Sequence, residues 1–196
     1  MHSFAAAVFF LIITPGPGVL SAAGVGSGFG YRAGLRYVAG LWLGNLSVGL
    51  LVVSGIWAAL ATVPGLRSVL GAASLIYLFY LAMKIAFAGS RIGFIATDNP
   101  PRFLNGLALQ GINPKAYAVN VFLFSNFPFM SGQIAAETVA KFLILNAIWI
   151  PIHLVWLQAG VTVRRLNLPA RRQRAINIGM AASMLIVVAL AAWNHG

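Results

Sequence analysis

The sequence predicts an all-α membrane protein with six transmembrane helices, arranged as two inverted three-helix repeats in which helices 1 and 4 are broken at Pro15 and Pro114. The first observation is composition: the chain is 60% hydrophobic and 8% charged, with a mean hydropathy of +0.90, which is too apolar for a soluble domain. The second is that apolar runs of membrane-crossing length recur along the chain. The third is a proline-containing interruption inside two of those runs.

Six apolar runs have the length of roughly 20 residues that a helix needs to cross a bilayer core. They cover residues 4–26, 37–62, 66–87, 103–127, 139–163 and 176–193, and their connections are short. We therefore expect residues 1–196 to form a single transmembrane domain, with repeat 1 over about residues 1–90 and repeat 2 over about residues 101–196. The first run also has the length of a secretory signal. No Lys or Arg precedes it and it continues past Gly24, so we expect it to be retained as a helix.

The thirteen Lys and Arg residues give a formal net charge of +11, and they are scattered among the apolar runs instead of forming one patch. We therefore expect no nucleic-acid partner. Ten of them lie in or next to the connections after helices 1, 3 and 5, against Arg67 and Lys141 on the opposite side. This asymmetry places those connections in the cytoplasm and both termini on the periplasmic side of a multi-pass inner-membrane protein. The arginine-rich segment 164–174 then contacts anionic membrane lipid.

Two interruptions lie inside the apolar runs, at residues 14–18 (TPGPG) and 113–116 (NPKA). Proline removes an amide donor and clashes with the preceding turn, so within hydrocarbon each break must be stabilised by protein or by water in a cavity. Each break falls in the first span of a three-span group. Because three is odd, the second group enters the membrane in the opposite orientation, which is the inverted-repeat pattern of secondary transporters. Two unrelated proline kinks are the alternative interpretation.

The breaks have a sequence suited to starting new half-helices inside the membrane. Thr14-Pro15 and Asn113-Pro114 each read as an N-cap residue followed by proline at the first helical position. A helix N-terminus carries unpaired amides and roughly half a positive charge, so it attracts a carboxylate. Glycine lets a ligand approach the backbone closely. The predicted substrate-binding residues at the breaks are Thr14, Pro15, Gly16, Gly18, Asn113 and Pro114.

Lys115 adds a full positive charge at the second break. It lies about a dozen residues from either end of its span, on the order of 18 Å at helical rise, which is beyond the reach of its side chain to the headgroups. The acids of the chain are Asp98 and Glu137, and neither falls inside a predicted span. We therefore expect Lys115 to bind an anionic group of the substrate, with a structural ion contact as the alternative.

Three further polar residues inside the spans are candidates for the site. Asn45 and Asn146 lie near the middle of the second span of each half, so they are predicted to bind substrate or to hydrogen-bond between helices. His153 is a candidate proton carrier, although such a histidine can also satisfy a neighbouring carbonyl. Gly40 and Gly44 form a face of small residues for close helix contact, within the chain or in a dimer.

The residue inventory gives little material for other chemistry. The chain has no cysteine and three histidines, so we expect no metal site and no cofactor. Without an acid inside the spans, a general acid and base pair also has almost nothing to be built from. An enzyme is therefore not expected.

At the breaks and in the helices around them, the chain resembles the LysE/RhtB family of amino-acid exporters. The matching stretches are residues 14–17, 30–34, 39–44, 71–73, 77–84 and 110–116. The resemblance implies six helices in two inverted halves, a homodimer, and export of amino acids or close derivatives driven by an ion gradient. Helix 2 and the arginine-rich segment before helix 6 resemble those of the family branch that handles cysteine-pathway and other small neutral amino acids.

One departure from the family pattern concerns proton coupling. Many relatives carry an acidic residue in helix 2 or helix 5, where this chain has Asn45 and Asn146, and Gly18 stands where relatives often have Asn or Asp. A carboxylate proton carrier therefore cannot be carried over. Coupling is left to His153, to the substrate, or to no group of the chain.

From the residues and the resemblance together, we expect a secondary active exporter of an amino acid or small amino-acid derivative that works by alternating access, with protons as a candidate coupling ion. The carboxylate of the substrate would be held by the two half-helix N-termini and Lys115. A passive channel for small zwitterionic solutes is the main alternative, and a non-transporting scaffold is another.

Overall fold

The structure is a computed structural model that describes residues 1–14, 16–55, 62–65 and 99–166, together with residues 69, 72–73, 76, 80, 169, 171–172, 174–175, 178–179 and 182. Most of the predicted spans 66–87 and 176–193 lies outside the described residues, and so do Pro15, Asp98 and residues 56–61 of the second predicted span. The described helices are α1 (His2–Ile13), α2 (Pro17–Phe29), α3 (Tyr31–Val53), α4 (Phe103–Ile112), α5 (Pro114–Asn126) and α6 (Ile134–Arg165).

All regular secondary structure in the described part of the chain is helical. By length and apolar composition, α3 and α6 can each cross a membrane. The pair α1 and α2 qualifies as a third crossing if it is one span bent by 50° at its break. The chain is therefore a helical, multi-pass membrane protein, and this part of the prediction is confirmed.

The predicted bounds of two spans differ from those of the helices in the structure. Helix α3 begins at Tyr31, six residues before the predicted start at residue 37, and it ends at Val53. Helix α6 begins at Ile134, five residues before the predicted start at residue 139, and runs to Arg165. Hydropathy detects where the chain becomes apolar, whereas backbone hydrogen bonds continue a helix through its polar ends.

The predicted connection at residues 28–36 is correspondingly reduced to one residue. Helix α2 ends at Phe29 and α3 begins at Tyr31, so Gly30 alone makes the turn. Its φ of 85° lies in the left-handed region that glycine adopts without a steric penalty.

Helices α2 and α6 pack backbone against backbone. A Cβ atom on Gly160 would lie 1.9 Å from the carbonyl oxygen of Ala23, and one on Gly26 would lie 2.6 Å from that of Leu157. Only glycine therefore permits this approach. Close backbone packing is a main source of attraction between helices in lipid, where burying an apolar side chain gains little.

Helices α3 and α4 pack in the same way. A Cβ atom on Gly40 would lie 1.9 Å from the carbonyl oxygen of Phe103, and one on Gly106 would lie 2.2 Å from that of Tyr37. Gly44 also faces α4, because its Cβ atom would lie 2.5 Å from Cβ of Gln110. The small-residue face predicted in the second span, which corresponds to α3, thus makes a contact within the chain.

Large buried side chains join these helix pairs into one core. Those that are almost completely buried come from α1, α3, α4, α5 and α6: Phe4, Tyr37, Leu41, Leu109, Leu123, Leu145, Trp149 and Leu157. Helix α6 contributes three of these residues and packs against α1, α2 and α3, whereas α4 and α5 pack mainly against α3.

Candidate functional site

The first break separates α1 from α2. The Thr14 hydroxyl donates a 2.6 Å hydrogen bond to the carbonyl oxygen of Phe10, so Thr14 closes α1. The N-cap residue of α2 is Gly16 and its first helical residue is Pro17. The prediction that Thr14 and Pro15 start the half-helix is therefore wrong by two residues, because Pro17 occupies the first helical position and Thr14 bonds back to the preceding turn.

The second break separates α4 from α5 at Asn113. The Asn113 side chain accepts a 3.1 Å hydrogen bond from the backbone amide of Lys115, and Pro114 is the first residue of α5. Nδ2 of Asn113 also donates a 2.8 Å hydrogen bond to Oε1 of Gln110. The predicted N-cap and proline are confirmed here, and the cap stabilises the start of α5.

The two breaks meet at Lys115. Nζ of Lys115 donates a 2.7 Å hydrogen bond to the carbonyl oxygen of Thr14, at the end of α1. The lysine side chain crosses directly over Gly16, where a Cβ atom would lie 2.9 Å from Cδ and 3.0 Å from Nζ. The end of a helix carries partial negative charge on its unpaired carbonyls, so the lysine stabilises the interrupted end of α1.

A cavity of about 40 Å³ lies at this meeting point, between α1, α2, α3, α4, α5 and α6. We call it the central cavity. Its polar lining residues are Thr14, Asn45, Gln110, Asn113, Lys115 and His153, and its apolar lining includes Val19, Ala116, Val119 and Trp149. One water needs roughly 10–15 Å³ of such volume, so the cavity has room for a few waters. Ligand pockets usually measure about 300–1,000 Å³, so an organic solute requires the surrounding helices to move apart.

The lining favours a ligand group with negative charge. Gly16 and Gly18 lie at the start of α2, where the first amides of a helix have no partner within the helix. The ammonium group of Lys115 adds a formal charge. No carboxylate is present among the described residues that line the cavity. These donors together suit a carboxylate.

His153 is buried on the α6 side of the central cavity. Its Nδ1 lies 2.9 Å from the carbonyl oxygen of Trp149, and its ring stacks on the Trp149 ring with centroids 3.4 Å apart. Because Nδ1 faces an acceptor, the neutral ring carries its proton there and leaves Nε2 as an acceptor. A Cβ atom on Gly18 would lie 3.1 Å from that Nε2, so the nitrogen points across the cavity towards the start of α2.

The two predicted asparagines separate in space. Asn45 lines the central cavity, and its Oδ1 accepts a 3.2 Å hydrogen bond from Nδ2 of Asn120. Asn146 is not among the lining residues: its Oδ1 accepts a 2.6 Å hydrogen bond from the Trp42 indole, which joins α3 to α6. Each asparagine bonds to another helix, and the two do not bond each other.

The sequence reasoning did not select Gln110 or Trp149, which both line the central cavity. Gln110 stands three residues before Asn113 and hydrogen-bonds to it, which is the spacing of one helical turn. This spacing in the sequence could have identified Gln110 as a neighbour of the predicted site residue Asn113. Trp149 lies four residues before His153 on α6, so the same rule applies to the stacked pair.

The chain is similar to several known proteins. The family model described as LysE type translocator matches residues 9–194. A cysteine/O-acetylserine efflux protein of Escherichia coli O1:K1 is 30% identical over 176 residues, which cover 89% of this chain and 87% of that protein. Proteins of the same name from Escherichia coli strain K12 and Shigella flexneri serotype 5b are 29% identical over the same shares of both chains. No solved structure matches the chain with significance.

A substitution at Gly16 tests the contact between the breaks. The backbone of Gly16 is extended, so alanine adds no backbone strain, but its Cβ atom displaces the Lys115 side chain from the Thr14 carbonyl. We expect Gly16→Ala to lower the free energy of unfolding in detergent by about 1.5–3 kcal/mol, the range for a hydrogen bond made by a charged group. In a Lys115→Ala background the same substitution should cost much less.

The matched control is Gly111→Ala, because Gly111 lies in α4 and its Cβ atom would meet nothing within 4 Å. This variant should unfold like the parent or slightly later, since alanine favours a helix. Equal losses for Gly16→Ala with and without Lys115 would show that the two breaks are not coupled.

Proposed function

Because the chain belongs to the LysE type translocator family, we propose that it is a secondary active exporter of an amino acid or small amino-acid derivative across the inner membrane. As a member of a family of translocators, the chain is a transporter and not an enzyme. Its relatives are named for efflux of cysteine and O-acetylserine. Both are small zwitterions, so we assign the same substrate class to this chain.

The contact of Lys115 with the Thr14 carbonyl is the observation that carries the proposal. A substrate carboxylate competes for Lys115 with a neutral carbonyl, and the full negative charge of the carboxylate attracts the ammonium group more strongly than the dipole of the carbonyl does. The first amides of α2 supply further donors beside it, whereas those of Lys115 and Ala116 in α5 already donate to Asn113. Substrate binding therefore frees the end of α1 from α5, which couples occupancy of the site to movement of the broken helices.

The ammonium group of the substrate needs acceptors on the opposite side of the central cavity. Nε2 of His153 and Oε1 of Gln110 both face Gly18, at 3.1 Å and 4.0 Å from a Cβ atom placed there. Asn45 adds an amide to the same lining. We assign these three residues to the amino end of the substrate and Lys115 to its carboxylate. Asn146 then acts through Trp42, by holding α3 against α6.

The small volume of the central cavity supports alternating access over a passive channel. A channel needs a continuous path, whereas a cavity of about 40 Å³ admits an amino acid only after a rearrangement. We propose that two inverted repeats, residues 1–90 and 101–196, form the single transport domain and rock against each other. The breaks in the first and fourth predicted helices support this arrangement, because each interrupts the first span of its half.

The position of the basic residues supports cytoplasmic connections at one end of the described helices. Nη1 of Arg164 donates a 2.5 Å hydrogen bond to the carbonyl oxygen of Gly28, so the end of α6 lies beside the junction of α2 and α3. Arg32 and Arg36 follow directly in α3. We propose that this end is cytoplasmic and that both termini are periplasmic. A homodimer and contact with anionic membrane lipid complete the proposal.

We expect Lys115→Ala to fold and to lose export. The substituted protein lacks the charged partner of the substrate carboxylate, and hydrogen bonds to charged groups contribute about 1.5–3 kcal/mol, so efflux should fall about tenfold to a hundredfold. The measurement is efflux of labelled cysteine and O-acetylserine from preloaded proteoliposomes. Arg165→Ala removes an exposed cation from the end of α6 and is the control. Efflux from Lys115→Ala at the parent rate would exclude Lys115 from substrate binding.

Proton coupling is tested at His153. In proteoliposomes with an imposed pH gradient, the parent protein should accumulate substrate above its equilibrium concentration. His153→Gln keeps a side chain that hydrogen-bonds but cannot carry a proton at Nε2. We expect it to retain exchange of labelled for unlabelled substrate and to lose accumulation. Equilibration without accumulation by the parent protein would favour the passive channel, and unchanged accumulation by the variant would assign coupling elsewhere.

A further inference from the structure

The two ends of the described helix bundle are closed in different ways. At the end formed by the last turns of α2 and α6 and the first turns of α3 and α4, helices meet through the glycine contacts described above. We call this the glycine-packed end. Backbone atoms there touch backbone atoms, so no side-chain rotation can open a path. Whole helices must separate.

The opposite end contains a second, larger cavity. It has a volume of about 370 Å³ and is lined by the last residues of α3 and α5, the segment 128–132 and the first turns of α6. Its charged lining residues are Glu137 and Lys141. This volume lies within the range of about 300–1,000 Å³ that ligand pockets occupy. We call it the vestibule.

A thin apolar layer separates the vestibule from the central cavity. On α5, Val119 lines the central cavity and Phe124 lines the vestibule. These residues are five apart, or about 7.5 Å at helical rise. Along α3, α5 and α6, the buried side chains at the heights between the two sets of lining residues are Val48, Asn120, Leu123 and Leu145. The barrier at this end is therefore about one layer of mostly apolar side chains.

Glu137 ties the first turn of α6 to the segment that follows α5. Its Oε2 accepts backbone hydrogen bonds from Phe129 at 2.8 Å and from Met130 at 2.6 Å. Its Oε1 lies 2.9 Å from Nζ of Lys141. One carboxylate thus fixes both a turn of backbone and the neighbouring lysine.

Lys141 extends the same connection to α5 and α1. Its Nζ donates a 3.1 Å hydrogen bond to the carbonyl oxygen of Phe124, in the last turn of α5. It also lies 5.9 Å from the ring centroid of Phe4 and 5.8 Å from that of Phe129. The side chain is only 4% exposed, so the charge is held by these partners and not by solvent.

We propose that the ion pair of Glu137 and Lys141 is the latch of an exit gate. While it is intact, the pair holds the end of α5, the segment after it and the start of α6 together over the apolar layer. Its release lets α5 and α6 part at the vestibule, while the glycine-packed end stays closed. That this gate is the exit rests on the proposed function, because that function sets the direction of transport. The position of the latch rests only on the contacts given above.

The absence of cysteine from the chain permits a direct accessibility test. A single cysteine is introduced as Val119→Cys, on the α5 wall of the central cavity. Its rate of reaction with a membrane-impermeant thiol reagent is measured from each face, in right-side-out and inside-out vesicles. We expect Lys141→Met and Glu137→Gln each to raise the rate at least tenfold from one face only. Their combination should raise it no further, because both break the same contact.

Arg164→Met is the matched control. Arg164 also lies on α6 and donates to a backbone carbonyl of another helix, but at the glycine-packed end. Its loss should leave the labelling rate unchanged from both faces. Glu137→Gln keeps the size of the side chain and an oxygen for the two backbone amides, so it still reports if Lys141→Met does not fold. The proposal is overturned by unchanged rates, by equal increases from both faces, or by an equal effect of Arg164→Met.

Labelling requires no transported substrate, so the test is independent of the proposed function. A one-sided increase supports the latch even if neither cysteine nor O-acetylserine is exported. Normal export by Glu137→Gln with an unchanged labelling rate overturns the latch and leaves the exporter intact.

Discussion

The contact between the two breaks depends on one hydrogen bond, from the Lys115 ammonium to the Thr14 carbonyl. A lysine inside a membrane protein must find a partner, and no described residue lining this cavity has a carboxylate. The break in α1 provides an unpaired carbonyl in place of an acid. The break after α1 thus supplies the hydrogen-bond acceptor for the lysine at the break before α5. Gly16 leaves the space through which the lysine side chain reaches the Thr14 carbonyl.

The same solution recurs at both ends of the bundle. Lys141, in addition to its ion pair with Glu137, donates to Phe124 in the last turn of α5, and Arg164 donates to Gly28 in the last turn of α2. With thirteen basic and two acidic residues, the chain cannot pair its cations by salt bridges alone. The partial negative charge at helix C-termini is the available substitute.

The sequence predicted the chemistry of the breaks better than their geometry. Asn113 and Pro114 form the expected cap because only one proline follows the asparagine. At the first break Pro15 and Pro17 both suit a first helical position, and the Thr14 hydroxyl can bond to either side, so local sequence did not determine the start of α2. Asn45 and Asn146 occupy similar depths, but which way each one faces depends on the packing of α3 and α6. The resemblance to amino-acid exporters is confirmed by the family match over residues 9–194.

The central claim is that Lys115, held between two broken helices, binds the carboxylate of the transported zwitterion. Binding of O-acetylserine to the purified protein, compared with binding of O-acetylethanolamine, tests it most directly, because the second compound has the same ester and amine without the carboxylate. The account predicts measurable affinity for the amino acid, at least tenfold weaker binding of the amine, and loss of that difference in Lys115→Ala. Equal affinity of the parent protein for both compounds would contradict it.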